Sequence, residues 1–204
     1  MMNPRDQIIQ AEPQDADTLG HVIAKAFHNL APSTWLIPDS DERARLFPGY
    51  FRQFPVDEAI ANGRVYTTTG RNAVALWLPP APDDEPAPAD DDVKLTAATG
   101  IWADRFRTFD ALLAAHHPHD IDHDHLAILA VHPDHQHQGI GTALLATHHD
   151  RLDAEDPPRA AYLEASDATT RKLYLRHGYT DLGDPIVLPS GACMYPMLRG
   201  TGSS

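Results

Sequence analysis

Apolar positions recur along the chain in two periods. Leu19, Val22, Ile23, Ala26 and Phe27 stand at i, i+3, i+4, i+7 and i+8, the stripe of an amphipathic helix, and follow a first strand begun by Ile8 and Ile9. Val65 to Thr69 and Ala73 to Leu78 are β-rich runs, and Gly70-Arg71-Asn72 between them predicts a hairpin. The unbroken run Leu126 to Val131 and the segment Ala160 to Ala165, with Glu164 at its end, predict buried strands. Ala143, Leu144, Leu145, His148 and Leu152 between them fall at helical spacing. A third helix is marked by Ile101, Trp102, Phe106, Phe109, Leu112 and Leu113, ending before Pro118. A short one covers Ala168 to His177 and closes on Gly178. Asp41 to Phe54 predicts a less regular helix limited by Pro48, and 29–38 a loop carrying Trp35. Ile186 to Leu188 and Cys193 to Leu198 predict a closing hairpin about Pro-Ser-Gly.

These elements fit one domain over 1–199 of the 204 residues, large enough for a sizeable core. Pro79 to Asp92 is so rich in proline and acid that a flexible surface excursion is expected there, and a disordered tail over 200–204. The only cysteine, Cys193, excludes an intrachain disulfide framework and a cysteine metal site. A net charge of −13 argues against nucleic acid and anionic membrane as partners. No apolar run approaches the ~18 residues of a membrane span. The start MMNPRDQIIQ lacks the apolar core of a signal peptide, so a cytoplasmic protein is expected. The stretch 116–125, HHPHDIDHDH, has a metal-binding composition but no helical zinc spacing, and is expected to be a solvated loop.

Candidate chemistry centres on the turn between the Leu126–Val131 strand and the next helix. A helix starting near Gly139 to Thr142 presents unpaired N–H groups and the positive end of its dipole, which suit an anion. Two nucleotide motifs fail there: a P-loop needs a Lys after its second glycine, where Thr142 and Ala143 stand, and a dinucleotide fingerprint needs a small residue at Leu144. Val131-His132-Pro133 with Gln136-x-x-Gly139-x-Gly141 instead resembles the acetyl-CoA signature of the GNAT superfamily of N-acetyltransferases. Downstream, Leu173-Tyr174-Leu175-Arg176-His177-Gly178-Tyr179 resembles that family's second motif. With AYLEAS and AVALWLPP, the likeness is nearest to puromycin N-acetyltransferase-like proteins.

The resemblance implies an α/β (α+β) GNAT fold: a mixed, mostly antiparallel central sheet of six to seven strands, flanked by helices and splayed at the fourth and fifth strands. It implies acetyl-CoA as co-substrate, with no metal. The backbone of Leu129, Ala130 and Val131 would pair with the pantetheine arm, and Gln136, His137, Gln138, Gly139, Ile140, Gly141 and Thr142 would hold the pyrophosphate. Thr170 stands where many relatives have a CoA-contacting asparagine. Tyr174 would be the general acid toward the thiolate, and Glu164 either the base for the amine or an anchor for its cation. Phe27, Trp35, Tyr50 and Phe51 would wall the acceptor site, although each ring is equally well explained as core. The implied reaction is acetyl transfer to the primary amine of a small molecule, an antibiotic or other secondary metabolite being one candidate, by a monomer or homodimer. A peptide or protein acceptor and a non-catalytic acyl-CoA-binding module are the alternatives.

Overall fold

In the computed structural model, residues 7–79 and 89–201 are described, so most of the proline-rich excursion and the tail end lie outside the described residues. Strand β1 is Ile8–Gln10 and helix α1 Ala16–Phe27. The expected loop at 29–38 is corrected: Pro32 sits in the first turn of a short helix α2, Ala31–Leu36, where its missing N–H is harmless. Helix α3, Ser40–Phe51, starts on an Asp39 cap that accepts from Glu42 N at 2.7 Å. It runs through a π-helical turn, Arg52–Val56, into α4, Asp57–Asn62. A hairpin follows, β2 (Arg64–Thr68) and β3 (Ala73–Leu78).

Helix α5 spans Ala89–Thr99, so residues 89–92, expected to be part of a flexible segment, are instead its first turn, where Asp90, Asp91 and Asp92 suit a helix N-terminus. Helix α6 is Ala103–His116. Strand β4, His123–Val131, begins three residues earlier than its apolar run and leads to α7, Ile140–Asp153. Strand β5 is Ala160–Ala165 and α8 Ala168–Leu175; β6 (Thr180–Asp181), β7 (Ile186–Val187) and β8 (Cys193–Arg199) complete the chain.

One mixed sheet is ordered β1-β2-β3-β4-β5-β8-β6, with β7 paired to the start of β8. All pairs are antiparallel except β4 with β5. The sheet is buried on both faces, which is why β3 is apolar without alternation. Val74, Leu76, Ile128 and Ala130 meet Leu19 and Ile23 of α1, Phe47 and Phe51 of α3, and Phe106 of α6. Ala73, Ala75, Trp77 and Leu163 meet Leu144, Leu145 and Leu152 of α7 and Tyr174 of α8 on the other face. Helix α1 packs so closely on the end of α3 that a Cβ at Gly20 would lie 2.7 Å from Pro48 O.

Two departures from regular pairing shape the centre. Ile128 pairs with Leu76 and Leu126 with Trp77, so Ala127 is an extra residue that kinks β4. The parallel pairing of β4 with β5 covers only His123–His125 against Ala160–Tyr162. Past that point β4 stays with β3 and β5 with β8, so the two strands part and leave a wedge between Leu126–Val131 and Leu163–Ala165.

Candidate active site

The wedge leaves backbone donors and acceptors on one side of β4 without a strand partner, an edge that an extended ligand can pair with. Leu129, Ala130 and Val131 form that edge. Ala130 turns its side chain into the core beside α1, while Leu129 and Val131 lie under α7, each 3.9 Å from where a Cβ on Gly141 would be. Gln136 returns to the strand end by donating Nε2–H to Val131 O at 3.1 Å.

The turn reaches α7 through two left-handed residues, His137 (φ 61°) and Gly139 (φ 78°). Gly139 supplies no side-chain cap, and its carbonyl accepts from Ala143 N at 3.0 Å, so the first-turn N–H groups of Ile140, Gly141 and Thr142 lack intrahelical partners. Gln136, His137, Gln138 and Gly139 are exposed around them, and Thr142 Oγ1 lies 3.3 Å from His177 Nε2. A fourteen-residue helix thus points its positive end at the mouth of the wedge. Thr170 is occupied differently: its N–H donates to the Asp167 carboxylate at 2.8 Å and its hydroxyl to Asp167 O at 3.1 Å, capping α8.

Tyr174 is 8% exposed on α8, edge-on to Tyr179 at 5.7 Å, and among the described residues its hydroxyl has no hydrogen-bond partner. Burial, reinforced by the charge of Asp167, pushes its pKa up, so the phenol keeps its proton at neutral pH.

On the opposite face of the sheet, where β4 and β5 separate, stands a group of imidazoles. The expected solvated loop at 116–125 is corrected here: His123, Asp124 and His125 continue β4, and His123 and Asp124 are buried. His125 Nε2 lies 2.9 Å from Glu164 Oε2. A carboxylate only accepts, so the hydrogen belongs to Nε2 and the lone pair of the neutral ring is on Nδ1. His125 keeps 19% of its side chain exposed and Glu164 6%, so of the pair the imidazole is the group a solute can meet. Burial alone would raise the pKa of Glu164. The adjacent His125, with Tyr162 and His117, reverses this and holds it low, so the carboxylate is ionised at neutral pH.

His123 Nδ1 is 2.6 Å from Ile121 O and must carry the hydrogen, which makes Nε2 the acceptor for His117 Nε2 at 3.1 Å. Burial with neighbouring imidazoles pushes His117 down to about 4, so it is neutral. Tyr162, on the Glu164 side of β5, is edge-on to His117 at 4.9 Å, with its hydroxyl 3.5 Å from His116 O. A period-two reading extended back from Leu126 would have put His123 and His125 on one face and Asp124 on the other. The apolar run masked that signal.

The aromatics expected to wall an acceptor site mostly pack on each other. Phe27 is edge-on to Phe51 at 5.7 Å, and Phe51 is buried. Tyr50 contacts Phe106 at 4.6 Å, and burial pushes its phenol up. Nearby, desolvation by the surrounding protein pushes the carboxyl of Asp110 up to about 6. Glu58 on α4 is also raised, by burial and by Asp91, and opposed by His125. Trp35 lies against Phe109, ring centres 6.5 Å apart, beside Ile186 and Leu188 of the closing hairpin.

A cavity of about 260 Å³ lies at the start of β4 on the α7 face, lined by Arg64, Trp77, Asp124, Arg151 and Arg159. Asp124 there is already paired: it accepts from His148 at 2.9 Å, Arg159 at 3.2 Å and Arg151 at 3.4 Å. We read that cavity as structural.

Residues 107–181 match the family model of the acetyltransferase (GNAT) domain. Solved structures agree in fold over nearly the whole chain. The structure described as histone acetyltransferase HPA2 and related acetyltransferase from Corynebacterium glutamicum superposes with a TM-score of 0.70 at 24% identity, covering 97% of each chain. Arylalkylamine N-acetyltransferase 2 from Aedes aegypti gives 0.66 at 13% identity, over 96% of this chain and 99% of that one. An agmatine N-acetyltransferase gives 0.61 at 15%, over 95% and 99%. Residues 107–181 are thus similar to the acetyltransferase (GNAT) domain, and the mixed sheet with its parting β4–β5 pair is the GNAT fold.

Proposed function

We propose that the protein is an acetyl-CoA-dependent N-acetyltransferase acting on the primary amine of a small molecule. The observation that carries this reading is the wedge itself: an unpaired strand edge runs from the N-terminus of α7 to the point where His125 and Glu164 meet. Acetyl-CoA lies along Leu129, Ala130 and Val131, with its pyrophosphate on the free amides of Gly139 to Thr142 and with Gln136, His137 and Gln138 at the loop rim. The hydroxyl of Thr170 is engaged in the α8 cap, so in this reading it supports the loop rather than the cofactor.

An amine at neutral pH arrives as an ammonium and must lose a proton before it can attack. His125 Nδ1 takes that proton, directly or through water, and the buried Glu164 stabilises the imidazolium and holds the ring in one tautomer. Glu164 is thus a positioning group behind the base. The amine nitrogen then bonds to the thioester carbonyl, whose oxyanion is met by backbone N–H groups near the Ala127 bulge. The carbon–sulfur bond breaks, and Tyr174, still protonated, supplies the proton to the departing thiolate.

The acceptor side favours a cation. Asp110, Glu58 and Glu164 are acidic groups close to Tyr50, His125 and Tyr162, and the arylalkylamine and agmatine acetyltransferases that share the fold are named for small amines. Trp35, Phe109, Ile186 and Leu188 close one wall, which favours a compact acceptor with an apolar body over a protein segment. An amino-bearing antibiotic or other secondary metabolite belongs to that class. The test is incubation with acetyl-CoA and single amines, including agmatine, tryptamine, puromycin and a peptide amine, with products read by mass spectrometry. An N-acetylated small amine is the expected product; no acetylated product from any amine, with CoA still bound, would reject the reading.

A further inference from the structure

We propose that His117, His125 and Glu164 form a binding site for a borderline divalent metal ion such as Zn²⁺ or Co²⁺, open to at least one further ligand, and that its occupation blocks the acceptor site. One ligand atom from each of the three side chains lies within 4.8 Å of the other two. Metal–ligand bonds of about 2.0–2.1 Å in a tetrahedral arrangement space the ligands about 3.3 Å apart, so side-chain rotations of about an ångström would close the set. Two imidazoles and one carboxylate match ions of this class better than Mg²⁺ or Ca²⁺, which favour oxygen ligands.

Three further observations point the same way. Glu164 Oε1 is buried with no hydrogen-bond partner among the described residues, an unmet acceptor that a cation would satisfy. His117 is held by His123, itself anchored on Ile121 O, which is the outer-shell support that fixes the orientation of a metal-bound histidine. His125 and Glu164 stand on β4 and β5 where these strands diverge, and His117 caps the end of α6, so all three are set by regular elements rather than by the solvated loop their composition suggested. Coordination through His125 Nε2 moves the ring hydrogen to Nδ1, and the hydrogen bond to Glu164 is replaced by bonds from both groups to the ion. The lone pair that would accept the amine proton is then gone.

The metal site does not depend on the acetyl-transfer reading; only its effect on turnover does. The experiment is titration of the untagged, chelator-treated protein with Zn²⁺ by calorimetry and with Co²⁺ by visible absorption, beside His117→Ala, Glu164→Gln and, as a control from the half-buried His132–His135 pair, His135→Ala. One equivalent bound, with the intense visible bands of four- or five-coordinate Co²⁺, is expected in the wild type and in His135→Ala. Each of the two site variants should bind at least about tenfold more weakly while retaining cooperative unfolding and CoA binding. Equal affinity in the wild type and both site variants, or a weak octahedral Co²⁺ spectrum, would overturn the site. Where an amine substrate is in hand, Zn²⁺ should inhibit competitively with the amine and not with acetyl-CoA. Binding without such inhibition would overturn the blocking role and leave the site standing.

Discussion

At the scale of single residues, the division of labour between His125 and Glu164 follows from which atom each leaves open. Glu164 gives one oxygen to His125 and keeps the other buried, so in the proposed mechanism it acts through the imidazole. Tyr174 stands across the sheet with an undissociated phenol and, among the described residues, no competing hydrogen-bond partner. Replacing it by Phe is expected to lower kcat by about 10²- to 10⁴-fold with little change in CoA affinity, measured by steady-state kinetics and calorimetry. Unchanged kcat would remove Tyr174 from the chemistry. His149 supplies a stability prediction. It is buried against the Tyr179 hydroxyl at 2.9 Å, and burial, helped by Arg199, pushes it down to about 3. Between pH 6.5 and 3 the unfolded chain binds a proton here that the folded chain refuses, so stability is intact above that window and is lost as pH falls through it. At pH 5 the loss from this site is about 2 kcal/mol. Thermal melts should show His149→Gln less sensitive to acid between pH 7 and 5 than the wild type.

Elements show why part of this was legible in the sequence. Ala160–Ala165 was readable to its ends because the strand is apolar up to Glu164 and flanked by turn-forming polar residues. The start of α7 was readable because Gly139 occupies a left-handed position. Gly139→Ala is expected to destabilise by about 1–2 kcal/mol and to weaken CoA binding, which denaturant unfolding and calorimetry can check. His123, Asp124 and His125 were not legible as strand. What makes their burial tolerable is remote in sequence: Glu164 lies 39 positions away, His148 and Arg159 lie 24 and 35 from Asp124, and nothing local announces them. Helix α2 was hidden by Pro32, which reads as a breaker unless it falls in the first turn. The intimacy of α1 and α3 was likewise invisible. Gly20→Ala, which drives a Cβ to 2.7 Å from Pro48 O, should cost about 1–3 kcal/mol in denaturant unfolding without altering the site.

Across the whole molecule, the sheet's two faces would separate the two halves of the proposed reaction. The α7 and α8 side would offer amides and a phenol to an anionic thioester cofactor, and the α1, α3 and α6 side would offer imidazole and carboxylate to an amine. The parting of β4 from β5 is where the two sides meet. A net charge of −13 adds a long-range field that attracts cationic acceptors. KM for a cationic amine should therefore rise with ionic strength while kcat holds, and a neutral amine should show no such trend. The account stands most directly on amine-dependent release of the CoA thiol, followed in parallel for the wild type, Glu164→Gln and Tyr174→Phe. It predicts steady release by the wild type and rates lower by about 10²-fold or more in each variant. Variants that turn over like the wild type would contradict it.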